Sequence, residues 1–205
     1  MMEQDYYQTI DKQGLAEFKD RGSRFIAYAY PLESTETFKQ HLQGLKKEHT
    51  KAVHHCFAYR IGIDGNQFRL SDDGEPAGTA GRPILGQIDS KGLTNIAIVV
   101  VRYFGGTLLG VPGLINAYKS AASMVLQLVP VIQKPIEIVY DLQFDYTRMN
   151  EVMMIIKQYQ CSVLLQESQL FCHLRIGIAK GRLEEVLYKI SNLHTVEVIP
   201  FKLYP

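Results

Sequence analysis

The chain has 205 residues, enough for one large domain or two small ones. Hydrophobic residues make up 46% of it and charged residues 21%, a balance that is typical of a globular core and excludes a disordered chain. The formal net charge is +1, with 14 basic and 13 acidic residues before residue 134 and 8 of each from there on, so neither half offers a wholly basic surface for nucleic acid.

Hydrophobic periodicity predicts alternating strands and helices up to about residue 130. The Ile/Val run that ends at Phe104 predicts a strand buried on both faces, because it is almost unbroken by polar residues. In chain order, the predicted elements are a strand at 23–30, a helix that opens at Ser34 and Thr35, a strand at 54–61, a short helix from Pro83, a strand at 95–104 and a helix after Pro112.

The pattern starts again between Pro130 and Pro135, where we predict a domain boundary. The elements that follow are a strand at 136–144, a helix opened by Asp145, strands near 161–166 and 169–178, a helix at 183–190 and a strand near 195–199. This order, β-α-β-β-α-β, is that of a ferredoxin-like domain. We therefore predict an α+β protein with domains at 1–133 and 134–205.

The cellular compartment is predicted from the cysteines and the N-terminus. Cys56, Cys161 and Cys172 are odd in number and widely spaced, which argues against a disulfide framework and against a zinc knuckle. The first residues are acidic and form no signal peptide, and no apolar run reaches the ~20 residues of a membrane helix. We expect a cytoplasmic protein without membrane contact.

The most unusual segment is the polar, glycine-rich stretch of residues 71–83, called the acidic loop below. Its glycines would leave backbone N–H groups free ahead of a helix, which is an arrangement that binds anions. Asp72, Asp73 and Glu75 would alternatively hold a hard cation such as Mg²⁺, although adjacent carboxylates without a ligand pattern do not favour a metal site. A structural turn, in which these side chains bond their own backbone, is an equal alternative to anion contact.

A second candidate lies where the buried strand meets a glycine-rich loop, at Arg102, Tyr103, Gly105 and Gly106. Ligands of α/β sheets bind where strands end and helices begin. The loop has no phosphate-binding fingerprint, because residues 111–112 are Val-Pro where a P-loop has Lys-Ser/Thr, and this argues against a nucleotide triphosphatase. The alternative is that these glycines only let helix and sheet approach closely.

Histidines at residues 54 and 55 point to a metal site or a general base. Neighbouring residues on a strand face opposite sides, so one ion cannot easily take both, and His54 is the better candidate because it shares a face with Arg60. Neither a Gly-x-Ser-x-Gly nor a His-Glu-x-x-His motif occurs. We predict no catalytic residue, no metal site and no cofactor.

The β-α-β-β-α-β order also raises the possibility of an RNA-recognition module, which stacks bases on aromatic side chains of its open sheet face. That face is predicted to carry Glu137, Val139, Asp141 and Gln143 on one strand, and Phe171, His173 and Arg175 on another. A single aromatic residue and two carboxylates argue against such a module.

Three motifs together resemble the IMPACT (YigZ) family. They are His54-His55-Cys56-x-Ala58-Tyr59-Arg60, then Ser71-Asp72-Asp73-Gly74-Glu75-Pro76-x-Gly78-Thr79-Ala80-Gly81-x-Pro83, and Val99-Val100-Val101-Arg102-Tyr103-Phe104-Gly105-Gly106 with Leu109-Gly110, Gly113-Leu114 and Ala117-Tyr118. The chain departs from the family at residues 111–112, where Val-Pro replaces a small residue and glycine. Proline removes a backbone donor, which weakens phosphate binding at this loop.

The resemblance implies an N-terminal domain of the ribosomal-protein-S5 domain-two type and a ferredoxin-like C-terminal domain. Such a pair resembles two consecutive domains of elongation factor G, which act on the ribosome. Eukaryotic relatives resemble regulators of translation initiation that act by protein–protein competition. Some bacterial relatives have been labelled peptidases, but the residues here do not supply the metal ligands of a proline dipeptidase.

The function we predict is that of a non-catalytic binding protein linked to translation, with RNA, the ribosome or a ribosome-associated protein as partner. The residues predicted to make contact are Arg24, His54, Arg60, Asp72, Asp73, Glu75, Gly78, Thr79, Gly81, Arg82, Arg102, Tyr103, Gly105 and Gly106. One alternative is a peptidase-type hydrolase that uses the carboxylates of the acidic loop with His54 as base. Another is a protein-interaction adaptor whose glycine-rich loops serve only the fold.

Overall fold

The structure is a computed structural model that describes residues 5–168 and 170–201. Within these residues it is a mixed α/β protein with three sheets. The strands are β1 Tyr6–Ile10, β2 Gly14–Asp20, β3 Ser23–Pro31, β4 His54–Ile61, β5 Gln67–Ser71, β6 Ile96–Tyr103, β7 Val131–Pro135, β8 Glu137–Phe144, β9 Ser162–Ser168, β10 Cys172–Ala179 and β11 Val196–Pro200. The α-helices are α1 Thr35–Glu48, α2 Gly81–Ser90, α3 Gly110–Leu128, α4 Met149–Gln158 and α5 Leu183–Ser191.

The chain forms two compact units. The N-terminal unit consists of residues 7–134. The C-terminal unit is formed by the chain from residue 135 onward, and Asp5 and Tyr6 group with it.

The N-terminal unit is built on a five-stranded sheet in the order β2-β3-β6-β4-β5, in which every neighbouring pair is antiparallel. The central strand β6 is buried from Ile96 to Arg102, as the unbroken Ile/Val run predicts. It positions Arg102 at the end of the strand, next to His54 of β4 in the register.

Two cores lie on opposite faces of this sheet. On β4, Cys56 and Ala58 pack with α2 and α3, whereas Phe57 and Tyr59 face the core that includes Phe38 of α1. The predicted alternation of this strand is therefore confirmed. Complete burial of large apolar side chains stabilises each core by about 1.5–3 kcal/mol per residue.

Local sequence signals explain where helices α1 and α3 begin. The N-cap of α1 is Ser34, whose hydroxyl accepts a hydrogen bond from the Thr37 N–H at 3.2 Å, as predicted. Helix α3 begins at Gly110, earlier than predicted, because Pro112 is tolerated in a first turn where its missing N–H has no partner to lose.

The C-terminal unit has a four-stranded antiparallel sheet in the order β11-β8-β10-β9, with its elements in the predicted sequence. One face packs with α4 and α5 around Leu142, Leu174, Ile176 and Val186. The strand predicted near 169–178 begins later, at Cys172, and the Leu170 side chain ahead of it is 88% exposed.

No helix in the described part of the chain has the length and apolarity needed to span a bilayer. The three cysteines are all free thiols; Cys56 and Cys172 are buried and Cys161 is partly buried.

Candidate functional site

The acidic loop connects the end of β5 to the start of α2. Its glycine-rich backbone binds an internal anion, the carboxylate of Asp72. One carboxylate oxygen accepts hydrogen bonds from the N–H groups of Ala80 and Gly81 at 3.0 and 2.8 Å, and the other accepts one from Gly78 at 2.9 Å. Burial acts to raise the pKa of Asp72, but these three backbone donors and the charge of Arg82 together outweigh it and lower the pKa. The N-terminus of α2 is thus capped by a side chain of the loop itself.

Asp73 links the acidic loop to β4 through hydrogen bonds. Its carboxylate accepts a hydrogen bond from the His55 N–H at 2.7 Å and lies 3.8 Å from the ammonium of Lys46. Its carbonyl oxygen lies 2.7 Å from Nδ1 of His54. Since a carbonyl only accepts, Nδ1 carries the proton in this contact.

Glu75 is the carboxylate of the loop that lies deepest, with 3% of its side chain exposed. Its Oε1 atom accepts hydrogen bonds from Nη1 of Arg102 at 2.6 Å and from the hydroxyl of Tyr118 at 2.7 Å. The thiol of Cys56 lies 3.3 Å from that hydroxyl and 3.0 Å from the carbonyl oxygen of Asp72. This buried network joins the acidic loop to β4, β6 and α3.

The network does not contain an activated nucleophile. Burial raises the pKa of the Cys56 thiol and of the Tyr118 hydroxyl, so both stay protonated at neutral pH. Nε2 of His54 lies 3.9 Å from Oε1 of Glu75, beyond hydrogen-bond distance. The carboxylate and the imidazole are therefore not hydrogen-bonded to each other, as a general acid–base pair of the hydrolase alternative would be.

Arg102 is a buried residue rather than a surface contact. Its side chain is 6% exposed, and the guanidinium lies 5.4 and 5.7 Å from the ring centroids of Phe25 and Phe104. Its Nε atom is buried without a hydrogen-bond partner. The guanidinium of Arg102 thus pairs with Glu75 and packs against aromatic rings inside the unit.

Gly105 is required by a close approach of two backbone segments. A Cβ atom at Gly105 would lie 1.9 Å from the carbonyl carbon of Gly22 and 2.2 Å from the nitrogen of Ser23. The Gly105 N–H donates to the hydroxyl of Ser23 at 3.1 Å. Gly106 has open space around it but a φ of +86°, a conformation that favours glycine.

The remaining predicted contact residues lie in different surroundings. Arg24 pairs with Glu17 at 2.9 Å and lies over the ring of Tyr103, and Arg60 pairs with Asp89 at 2.7 Å. Arg60 stands six residues along β4 from His54, about 20 Å at the rise of a strand, so it does not join the buried network.

Three further predicted contact residues lie where the acidic loop enters α2. The Thr79 hydroxyl donates to the carbonyl of Pro76 at 2.7 Å and is buried. A Cβ atom at Gly81 would lie 2.9 Å from the Ser71 nitrogen, so this glycine allows the helix to start against β5. Arg82 is exposed on the first turn of α2.

The comparisons with known proteins place this site in a family. The model of the Impact N-terminal domain matches residues 21–126. An "IMPACT family member" of Haemophilus influenzae is 39% identical over 164 residues, which are 79% of this chain and 80% of that protein. The chain belongs to the IMPACT family.

Two further relatives of this IMPACT family protein extend over both units. The "IMPACT family member YigZ" of Escherichia coli is 34% identical over 172 residues, which are 83% of this chain and 84% of that protein. A solved structure described as "Crystal structure of an hypothetical protein" has a TM-score of 0.79 and 29% identity, and the match covers 98% of this chain and 100% of that one.

The IMPACT match at residues 21–126 contains the whole buried network, from Cys56 to Tyr118. Cys56 and Tyr118 both occur in the motifs that resemble the family, but neither was among the predicted contact residues. The Tyr118 hydroxyl reaches Glu75 and the Cys56 thiol because α3 packs on the face of the sheet that carries Cys56, and the sequence gives no signal of that contact.

A metal centre is not formed by the acidic loop. Across residues 5–168 and 170–201, no group of three or more His, Cys, Asp and Glu side chains is arranged to hold a metal ion. The loop carboxylates instead accept hydrogen bonds from backbone and side-chain donors of the same unit.

Proposed function

We propose that this protein is a non-catalytic binding protein in the regulation of translation, and that its partner is a ribosome-associated protein. The observation that carries the proposal is the internal use of every carboxylate in the acidic loop: Asp72 by three backbone N–H groups, Asp73 by His55, and Glu75 by Arg102 and Tyr118. Membership of the IMPACT family supports the link to translation.

The bonding of these groups supports the proposal of a non-catalytic role. A general base needs a lone pair that a substrate can reach, and a nucleophile needs a lowered pKa. In this site the Glu75 side chain is 3% exposed and the pKa of the Cys56 thiol is raised by burial. We therefore propose that the loop is a hydrogen-bonded structural part of the surface that a partner contacts.

A protein partner is favoured over RNA by the state of the arginines. Arg102 is buried against Glu75, and Arg24 and Arg60 are each paired with a carboxylate. Of the four arginines that were predicted to offer contacts, Arg82 is exposed and forms no salt bridge in the described chain, although its charge acts on Asp72 and helps to lower the pKa of that carboxyl. A single exposed arginine outside a salt bridge binds a phosphate backbone weakly, because such a backbone is bound by several cations together.

The proposal also includes the fold type of each unit. We propose that the N-terminal unit is of the ribosomal-protein-S5 domain-two type and that the C-terminal unit is ferredoxin-like, with domains at 1–133 and 134–205. The strand order β11-β8-β10-β9 with two helices on one face supports the ferredoxin-like assignment.

The first experiment is co-sedimentation of the purified protein with ribosomes washed at low salt and with ribosomes stripped at high salt. Low-salt ribosomes keep their associated proteins, and we expect binding to them that is lost after stripping. Arg82→Glu is expected to weaken binding, and Lys91→Glu at the other end of α2 is the matched control that leaves it unchanged. The fraction of protein in the pellet is the readout.

Two results would contradict the proposal. Equal binding to stripped ribosomes that weakens steeply with salt would show RNA as the partner. Absence of binding to either preparation, or turnover of a peptide or phosphoester that Glu75→Gln abolishes while the protein stays folded, would remove the function as stated.

A further inference from the structure

The C-terminal unit carries a polar row on the sheet face opposite α4 and α5. The register of the four strands places Glu197 of β11 beside Gln143 of β8, Gln143 beside His173 of β10, and His173 beside Glu167 of β9. Side chains alternate along a strand, so these four point away from the core that holds Leu142. A carboxylate stands at each end of the row.

Two adjoining cavities follow the same row. One has a volume of about 930 Å³ and is lined by Gln143, Asp145, Phe171 and Glu197 among others. The second, of about 290 Å³, is lined by Gln143, Glu167, Phe171 and His173 among others. Because Gln143 and Phe171 line both, the cavities form one groove across the sheet, called the transverse groove below.

The charge of the transverse groove is negative. Glu197 has no ion-pair partner in the described part of the chain, and the N–H of Thr147 lowers the pKa of Asp145, which keeps it ionised. Of the nitrogen bases in the lining, Arg148 is offset by Glu151 at 2.8 Å, and the imidazole of His173 lies 3.2 Å from Asp141 and 3.7 Å from Glu167. Such a groove repels phosphate and attracts a cation.

An exposed aromatic ring lies in the same groove. Phe171 is 64% exposed and Leu170 beside it is 88% exposed. Large apolar side chains rimmed by charge are typical of interaction sites, and an aromatic face also attracts a guanidinium or an ammonium group.

We propose that the transverse groove binds an extended segment of a partner protein that carries two basic side chains four residues apart, with an apolar residue midway between them. Four strands span three gaps of about 4.8 Å, so Glu197 and Glu167 stand about 14 Å apart. An extended peptide rises about 3.4 Å per residue, so positions i and i+4 are also about 14 Å apart and face the same side as i+2. The apolar residue at i+2 then meets Phe171.

This inference concerns the C-terminal unit and does not depend on the role of the chain in translation. It is tested with the full-length protein and a synthetic probe, acetyl-Gly-Arg-Ser-Leu-Ser-Arg-Gly-amide with a fluorophore. Binding is followed by fluorescence polarisation and by the backbone amide shifts of residues 143, 171 and 197 in NMR spectra. A peptide of the same composition in the order Gly-Arg-Arg-Leu-Ser-Ser-Gly tests the spacing.

We expect the spaced peptide to bind more tightly than the reordered one by about threefold, and its affinity to fall as salt is added. Glu167→Gln with Glu197→Gln is expected to weaken binding by about fivefold or more. Glu184→Gln on α5, an exposed carboxylate away from the groove, is the matched control and is expected to leave the affinity unchanged. Phe171→Ala is a second variant, at an exposed position where folding is not at risk.

The proposal is overturned if neither peptide shifts the three amides, or if the double variant binds as tightly as the unmodified protein. It is also overturned if a single-stranded oligouridylate binds in the groove more tightly than the spaced peptide. These outcomes are independent of ribosome co-sedimentation, so failure here leaves the proposed function in place.

Discussion

At the scale of single residues, the ion pair of Glu75 and Arg102 lies almost entirely out of water, with 3% and 6% of the two side chains exposed. Removing one partner of such a pair leaves the other charge buried and uncompensated, which costs about 3–5 kcal/mol. Removing both leaves no such charge. The loss of stability is therefore expected to be largest when one member of the pair is removed and the other is kept.

The prediction is that Glu75→Gln and Arg102→Met each lower the free energy of unfolding by about 3–5 kcal/mol, while the double variant loses less than the sum of the two. Chemical denaturation of the four proteins measures this coupling. Glu17→Gln, which breaks the more exposed pair with Arg24, is the control and is expected to have a far smaller effect. Strict additivity of the two single variants would show that they do not interact.

At the scale of elements, the contact of the loop after β6 with the turn before β3 depends on Gly105. A Cβ atom there would overlap backbone atoms of Gly22 and Ser23, which cannot move as the end of a side chain can. Gly105→Ala is therefore expected to destabilise the protein by about 3 kcal/mol or more.

The matched control is Gly86→Ala inside α2, where a Cβ atom meets nothing within 4 Å. Alanine is the better helix former by about 0.5–1 kcal/mol, so this variant is expected to be as stable as the unmodified protein or more stable. Thermal unfolding of both variants makes the comparison. If the Gly105→Ala variant has the same melting temperature as the unmodified protein, this contact does not form.

Sequence periodicity predicted the long and apolar elements and missed the short polar ones. The Ile/Val run of β6 and the Ser34 cap of α1 are local signals, and both are confirmed. Strands β2 and β5 alternate weakly because they lie at the edges of the sheet and are half exposed. Their pairing with β3 and β4 gives them their structure, and pairing between strands leaves little trace in the sequence.

For the acidic loop, the residues were predictable and their partners were not. Asp72, Asp73 and Glu75 stand out in the sequence, and a turn that bonds its own backbone was one of the alternatives. The choice between that turn and an open anion site depends on whether a carboxylate reaches the free N–H groups, and that distance is set by where β5 ends against α2.

At the scale of the whole molecule, the two units carry surfaces of different character. The N-terminal unit has a rigid acidic loop whose charges are satisfied within the unit, and the C-terminal unit has a groove with an unpaired carboxylate and an exposed aromatic ring. A binding protein with two such surfaces is expected to contact its partner at more than one place. The proposed function depends on the first of these features, namely that the carboxylates of the acidic loop are bonded by donors of the same unit.

The most direct test is the pH dependence of unfolding of the unmodified protein and of Asp72→Asn. The folded-state pKa of Asp72 is lowered, so its stabilising effect is complete above the unfolded pKa of about 3.9 and is lost as the pH falls through the folded value. We expect Asp72→Asn to be less stable by about 1–3 kcal/mol at pH 7 and the difference to shrink below about pH 4. A difference that is absent at pH 7, or that stays constant down to pH 2, would contradict the account.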